Sequence, residues 1–237
     1  MKNMIDPIKR FMQEVPYLGP SLTSLRRRLW NRLFKVKSSS KYWERRYRLG
    51  GNSGAGSYDR LAEFKANVLN KFVEEHNIAS VIEYGSGDGA QLQRAKYPCY
   101  TGVDVSATAV KRCRRLFAGD PSKKFFISDE LTPRITADLT LSLDVIYHLV
   151  EDSVFDTYMR QLFDSATRFV IVYSSNVDEM WFGSHVRHRQ FTRWIEQRRP
   201  DWRLLLILKN AYPYDDKNPA GSSFADFYIF EFLRSEP

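Results

Sequence analysis

The residues with the clearest chemical potential lie in one short run, Val81-Ile82-Glu83-Tyr84-Gly85-Ser86-Gly87-Asp88-Gly89-Ala90. Three glycines at alternate positions after an apolar run describe a strand that turns sharply into a helix. Without side chains there, a nucleoside-bearing cofactor can approach the main chain closely, at the carboxyl end of a sheet where folds of this kind bind ligands. Fifteen residues past Gly89, Asp104 closes a second apolar run, where an acidic side chain can accept hydrogen bonds from both ribose hydroxyls. Read as Gly-x-Gly-x-x-Ala, the turn also fits a dinucleotide fingerprint. Two carboxylates oppose that reading. Glu83 precedes the turn and Asp88 lies inside it, where a pyrophosphate would set negative charge against negative charge in a partly desolvated site.

A cofactor with an adenosine but no phosphates removes the conflict. S-adenosylmethionine is one, and its sulfonium and ammonium are cations that acidic residues attract. The run Glu83 to Gly89, followed by Gly102-Val103-Asp104-Val105-Ser106, resembles the first two motifs of class I S-adenosylmethionine-dependent methyltransferases, and the resemblance extends over about residues 60 to 175. It implies a cofactor site built from Glu83, Gly85, Ser86, Gly87, Gly89, Asp104, Asp129 and Asp144. Asp129, in Ile127-Ser128-Asp129-Glu130, stands where the family often places an acidic residue on the adenine amino group. Ala137 to Leu149 resembles the fourth-strand motif, whose end lies beside the methyl group and the acceptor, so Asp144, Tyr147 and His148 are expected to face the reaction. Structural readings stand beside these: a glycine turn without a ligand, Asp144 as a helix cap, and His148 as a core histidine.

Methyl transfer is an in-line displacement, so the enzyme aligns the partners and, for a hydroxyl acceptor, removes a proton. Histidine suits the role of base. Of four histidines, His76 ends a surface helix, and His148, His185 and His188 are the catalytic candidates. His185 and His188 share Ser184-His185-Val186-Arg187-His188-Arg189, where Arg187 and Arg189 could pair an anionic acceptor. A solvated basic turn is the competing reading. Metal binding is not expected, because His-x-x-His alone is a weak signal and the arginines oppose a cation. Tyr42-Trp43-Glu44-Arg45-Arg46-Tyr47, with the glycine-rich loop Gly50 to Ser57, resembles the segment before the first motif in bacterial methyltransferases of surface-polysaccharide and other glycan clusters. It implies a cover that excludes water, with Tyr and Trp available to stack on a sugar or base. The expected acceptor is therefore a saccharide hydroxyl, anionic or lipid-linked. Alternatives are a small natural product, RNA held by a basic arm, or cofactor binding without turnover. Asp144-Val145-Ile146-Tyr147 lacks the two prolines common where a base nitrogen is methylated.

To position these residues, the chain needs strands and helices in alternation. Strands are expected at 80–84, 100–103, 124–128, 139–143, 169–173, 203–208 and 227–232. Helices are expected from Leu61 to Val73, capped by Ser57 or Asp59, from Ala90, and over 107–117, 153–166 and 191–197. The pattern predicts an α/β, Rossmann-like, doubly wound and mostly parallel seven-stranded sheet with an antiparallel C-terminal hairpin. Before it, Leu22, Leu25, Leu29, Leu33 and Phe34 with interleaved arginines predict a basic amphipathic helix that Ser38-Ser39-Ser40 ends. The domains expected are a basic extension with its cover loop, 1–57, and a methyltransferase domain, 58–237.

Composition fits that division. Of 237 residues, 43% are hydrophobic and 27% charged, which is an ordinary globular balance and excludes disorder throughout. Residues 1–50 hold 13 Lys and Arg against 3 Asp and Glu, leaving 23 against 25 for the rest of a chain whose net charge is +8. A basic appendage on a near-neutral body makes nucleic acid an unlikely partner for the body. Residues 21–35 fit a helix lying on an anionic membrane surface, and equally one packed on its own domain. Two cysteines without zinc spacing, no signal-peptide pattern and no apolar run of spanning length predict a reduced, cytoplasmic chain, peripheral at the inner membrane if that helix binds lipid.

Overall fold

A computed structural model of the protein describes residues 38–131, 135–178 and 185–233. Five α-helices, α1 (Ser39–Arg48), α2 (Asp59–Glu75), α3 (Ala107–Leu116), α4 (Asp152–Asp164) and α5 (Phe191–Arg198), accompany seven strands. The strands are β1 (Val81–Tyr84), β2 (Tyr100–Asp104), β3 (Lys123–Ile127), β4 (Ala137–Leu143), β5 (Ala166–Ser174), β6 (Trp202–Leu208) and β7 (Asp226–Phe232). They form one sheet in the order β3-β2-β1-β4-β5-β7-β6. β1 to β5 are parallel, while β7 runs antiparallel to both β5 and β6. The doubly wound sheet with an antiparallel final pair is thus observed, with β1 and β4 adjacent at the point where the strand order reverses. At such a switch point the loops at the carboxyl ends of neighbouring strands diverge and leave a crevice.

Alternation along the strands divides the interior in two. Val81, Leu139, Leu141, Phe169 and Ile171 pack with Leu69, Phe72 and Val73 of α2 and Val110 and Cys113 of α3. Their neighbours Ile82, Val103, Val170 and Val172 face the other way, onto Phe155, Met159 and Phe163 of α4 and Trp194 and Ile195 of α5. Strands buried on both faces read as continuous apolar runs, as Phe169 to Tyr173 of β5 does, whereas β4 alternates Leu139, Leu141 and Leu143 with the buried hydroxyls of Thr140 and Ser142.

Three local features differ from the sequence expectations. Ser38 starts a helix: it is the N-cap of α1, its hydroxyl accepting from the Lys41 amide, a role serine fills as readily as that of breaker. Neither Ser57 nor Asp59 caps α2, whose N-cap position belongs to Tyr58. After Gly89 the chain makes only a 3-10 turn, Leu92–Arg94, in place of a helix. The helix expected over residues 21–35 lies outside the described residues. Among those described, no helix is long and apolar enough to cross a membrane.

Candidate functional site

The carboxyl ends of β1, β2 and β4 open into a cavity of about 390 Å³. Its floor is the glycine turn. Gly85, Gly87 and Gly89 have φ of +84°, +59° and +81°, a left-handed region that side chains disfavour. Each is also crowded: a Cβ on Gly85 would strike the Val145 side chain, one on Gly87 would strike Ser53 Oγ, and one on Gly89 would sit 2.9 Å from the Phe117 ring. Gly85 and Gly87 line the cavity, whereas Gly89 packs behind it.

Acidic groups dominate the lining. Glu83, Asp104, Asp129 and Asp144 all reach the cavity, and among the described residues one ammonium, Lys65, faces them. Asp104 accepts from the Gly87 amide at 2.9 Å and the Ser106 amide at 2.8 Å. Burial nevertheless outweighs those bonds and pushes its carboxyl up to about 6. Two oxygens with lone pairs left over are what a ribose diol needs. Glu83, fully enclosed, accepts from Tyr100 Oη at 2.6 Å, and burial pushes it up to about 7 against the opposing effects of that bond and of Lys65. Ser86 Oγ is buried without a hydrogen-bond partner, an orphan on the cavity wall. Asp129 stands exposed on the 3-10 turn after β3, at the cavity edge.

Asp88 faces outward from the turn. Burial alone would raise its carboxyl, but bonds from Ser53 and Tyr58 hold it below the usual range. The Ser53 amide donates to it at 2.9 Å and Tyr58 Oη at 2.8 Å. The segment 49–58 is thereby pinned across the mouth of the turn. Helix α1 is fastened beside it: Glu44 accepts from Ser106 and Thr108 hydroxyls, both at 2.7 Å, Arg112 donates to the Tyr47 and Gly51 carbonyls, and Ser39 donates twice to Glu151. Trp43, Tyr47, Ser53 and Ser57 of this cover line the cavity.

Asp144, at the end of β4, takes an ion pair from Lys65 at 2.5 Å and a hydrogen bond from Tyr147 Oη at 2.8 Å. Tyr147 itself is buried behind it. His148 lines the cavity in a ring cluster: it stacks on His185 at 4.8 Å, His185 stacks on Tyr42 at 4.3 Å, and the Trp43 ring meets His148 edge-on at 4.9 Å. His148 Nδ1 lies 3.2 Å from the His185 carbonyl. A carbonyl only accepts, so Nδ1 carries the proton and Nε2 is the acceptor. Burial depresses His148 to about 3, with His185 adding to the effect, and burial depresses His185 to about 4.

The structure gathers Glu83, Gly85, Ser86, Gly87, Asp104, Asp129, Asp144 and His148 around one cavity. It does not bring the rest of the proposed acceptor residues there. His188 is buried with Nδ1 2.6 Å from Ser175 Oγ. Arg187 and Arg189 both pair Asp152, at 3.0 and 2.6 Å, and Arg189 lies over the Phe155 ring, so the two guanidiniums tie residues 187–189 to the start of α4. Lys65 escaped sequence reading. Its signal is a lysine at the i+4 position between Leu61 and Leu69, on the stripe that α2 buries.

No protein-family model matches the chain, and no curated protein matches it significantly. Solved structures do. The chain is similar to the N-methyltransferase NodS from Bradyrhizobium japonicum WM9, in complex with S-adenosyl-L-homocysteine, with a TM-score of 0.61 and 13% identity over 83% of this chain and 99% of that one. It is similar to the methyltransferase domain of bacterial CtHen1, with a TM-score of 0.55 and 19% identity over 72% of this chain and 97% of the other. A third is an S-adenosylmethionine-dependent methyltransferase from Clostridium acetobutylicum, with a TM-score of 0.55 and 11% identity over 71% and 92%. At these identities the likeness is one of fold: the chain has the α/β fold of the class I methyltransferases.

Proposed function

We propose that the protein is an S-adenosylmethionine-dependent methyltransferase that methylates a hydroxyl of a saccharide acceptor. One observation carries the reading. At the switch point of a methyltransferase fold lies a cavity with a glycine floor, a buried ribose-competent carboxylate, Asp104, and an excess of acidic lining. A cationic, phosphate-free nucleoside cofactor suits that chemistry, and a pyrophosphate does not. In this reading Asp104 receives the ribose hydroxyls, Asp129 the adenine amino group, and Glu83 and Asp144 the cationic end.

Bound S-adenosylmethionine would supply an electrophilic methyl group on a sulfonium. The chain's own residues then hold the acceptor in line and take its proton. His148 is placed for the second task, since it lines the cavity with Nε2 as its acceptor nitrogen, and the burial that keeps it neutral also makes it a weaker base than a free imidazole. Trp43 offers an aromatic wall beside it, and Ser40, Ser57 and Ser153 line the cavity with hydroxyls, a surface matched to a neutral polyol. Since Arg187 and Arg189 are engaged by Asp152, support for an anionic acceptor is lacking, and the acceptor we propose is uncharged.

Incubation with isotope-labelled cofactor and panels of saccharides, small natural products and RNA, read by mass spectrometry, tests the acceptor. Label on a saccharide hydroxyl is the expected result. Label on RNA or on an amine, with saccharides unmodified, would overturn that assignment and leave methyl transfer standing.

A further inference from the structure

Lys65 is 1% exposed although it carries a full charge. Its ammonium meets Asp144 at 2.5 Å and lies 5.3 Å from the centroid of the Tyr173 ring. An ammonium has three N–H donors, and Asp144 takes one. Enclosing a lysine among apolar neighbours is costly unless its charge is matched. Its partner is costly too: Asp144 has φ of +61°, a conformation that non-glycine residues adopt under constraint. Gly56 of the cover packs so close that a Cβ there would lie 2.7 Å from Asp144 Oδ2. A buried ion pair, a strained backbone and a glycine thus meet on the wall of a ligand cavity, next to Glu83.

The cavity's charges define what this pair can do. A ligand with an amino-acid end brings both an ammonium and a carboxylate. The ammonium finds carboxylates at Glu83 and Asp144, but the ligand's own carboxylate would meet the same two, with Lys65 the cation lining the cavity among the described residues. We propose that the Lys65–Asp144 pair is a placeholder for the amino-acid end of the cofactor: on binding, Lys65 turns to the α-carboxylate and Asp144 receives the α-ammonium. The inference rests on reading the cavity as an S-adenosylmethionine site. Two ion pairs replace one, and Lys65, Asp144 and both ends of the ligand's amino-acid group each keep an oppositely charged partner. Tyr147 Oη, already bonded to Asp144, holds that carboxylate in place during the exchange.

Titration calorimetry on the full chain with S-adenosylmethionine and its decarboxylated form tests this without any substitution. The decarboxylated ligand carries more net positive charge, which by itself favours an acidic cavity. Even so, the wild-type protein should bind it about 10- to 100-fold more weakly, the worth of a charge-assisted contact. In Lys65→Met, S-adenosylmethionine should fall to the level of the decarboxylated ligand, whose own affinity should stay within about threefold of wild type. Equal affinity of the wild-type protein for the two ligands overturns the exchange, and so does a Lys65→Met variant that weakens both alike. If Lys65→Met loses cooperative melting, the two-ligand comparison on the wild-type chain decides alone. A wild-type protein that binds neither adenosyl ligand rejects the cofactor reading itself, a result distinct from equal binding of both.

Discussion

Burial raises Glu83 to about 7 and Asp104 to about 6, and two opposite pH dependences follow. Between the unfolded carboxylate range near 4.5 and those values the folded protein holds these protons more tightly than the unfolded chain, so the two carboxyls add stability as pH falls from about 7.5 to about 5.5, while His148 and His185, depressed by burial, subtract it over the same interval as the unfolded imidazoles take up protons. A cationic cofactor needs the charged carboxylates, so its affinity should fall over the same interval. Thermal melts without ligand and calorimetric titrations across that range check both signs. Relative to Glu83→Gln, the wild-type melting temperature should fall less, or rise, as pH is lowered to about 5.5, and an equal or steeper fall in the wild type would contradict the raised value of Glu83. His148 gives a third expectation: being neutral throughout that range, it should impose no ionisation near its ordinary value on the rate, while His148→Ala should lower kcat by about 10²–10⁴-fold. At Gly85 the left-handed backbone and the Val145 contact make Gly85→Ala costly by at least about 1–2 kcal/mol, visible as a lower melting temperature together with lost cofactor binding. The residues legible in the sequence, Glu83 to Gly89 and Asp104, are those whose role depends on local spacing at strand ends. Lys65 and the Asp152 partners of Arg187 and Arg189 depend on what a distant element places opposite them, which spacing along the chain does not encode.

Among the elements, the core strands were readable because short apolar runs bounded by polar turns have few other uses, and their observed bounds differ from the expected ones by three residues at most at either end. Helix α1 was not. Its sequence, SSKYWERRYR, has no continuous apolar stripe, and its place is fixed by polar ties from Glu44, Ser39 and Arg112 to other elements. Those ties make a sharp expectation. Glu44→Ala removes three hydrogen bonds to the start of α3, and should raise hydrogen exchange over residues 39–58 while leaving the amides of β1, β4 and β5 protected. Cofactor affinity should weaken with it, since Trp43, Tyr47 and Ser53 form part of the wall. Exchange unchanged at 39–58 would show that the cover is held by something other than Glu44.

For the molecule as a whole, residues 1–37 hold 9 Lys and Arg against 2 Asp and Glu, and among the described residues the cavity lining begins at Ser39. We propose that the basic charge of residues 1–37 draws the protein to an anionic membrane surface. Removal of residues 1–37 should then abolish sedimentation with anionic vesicles and leave cofactor affinity within about threefold. Equal vesicle binding by the shortened chain would reject the anchor. Cofactor binding in the cavity is tested by calorimetric titration of the full chain at neutral pH with S-adenosylmethionine, S-adenosylhomocysteine and NAD, repeated with Asp104→Ala. One-to-one binding of the two adenosyl ligands, none of NAD, and loss of both in Asp104→Ala is the result expected. A folded wild-type protein that binds NAD, or neither adenosyl ligand, would contradict the account.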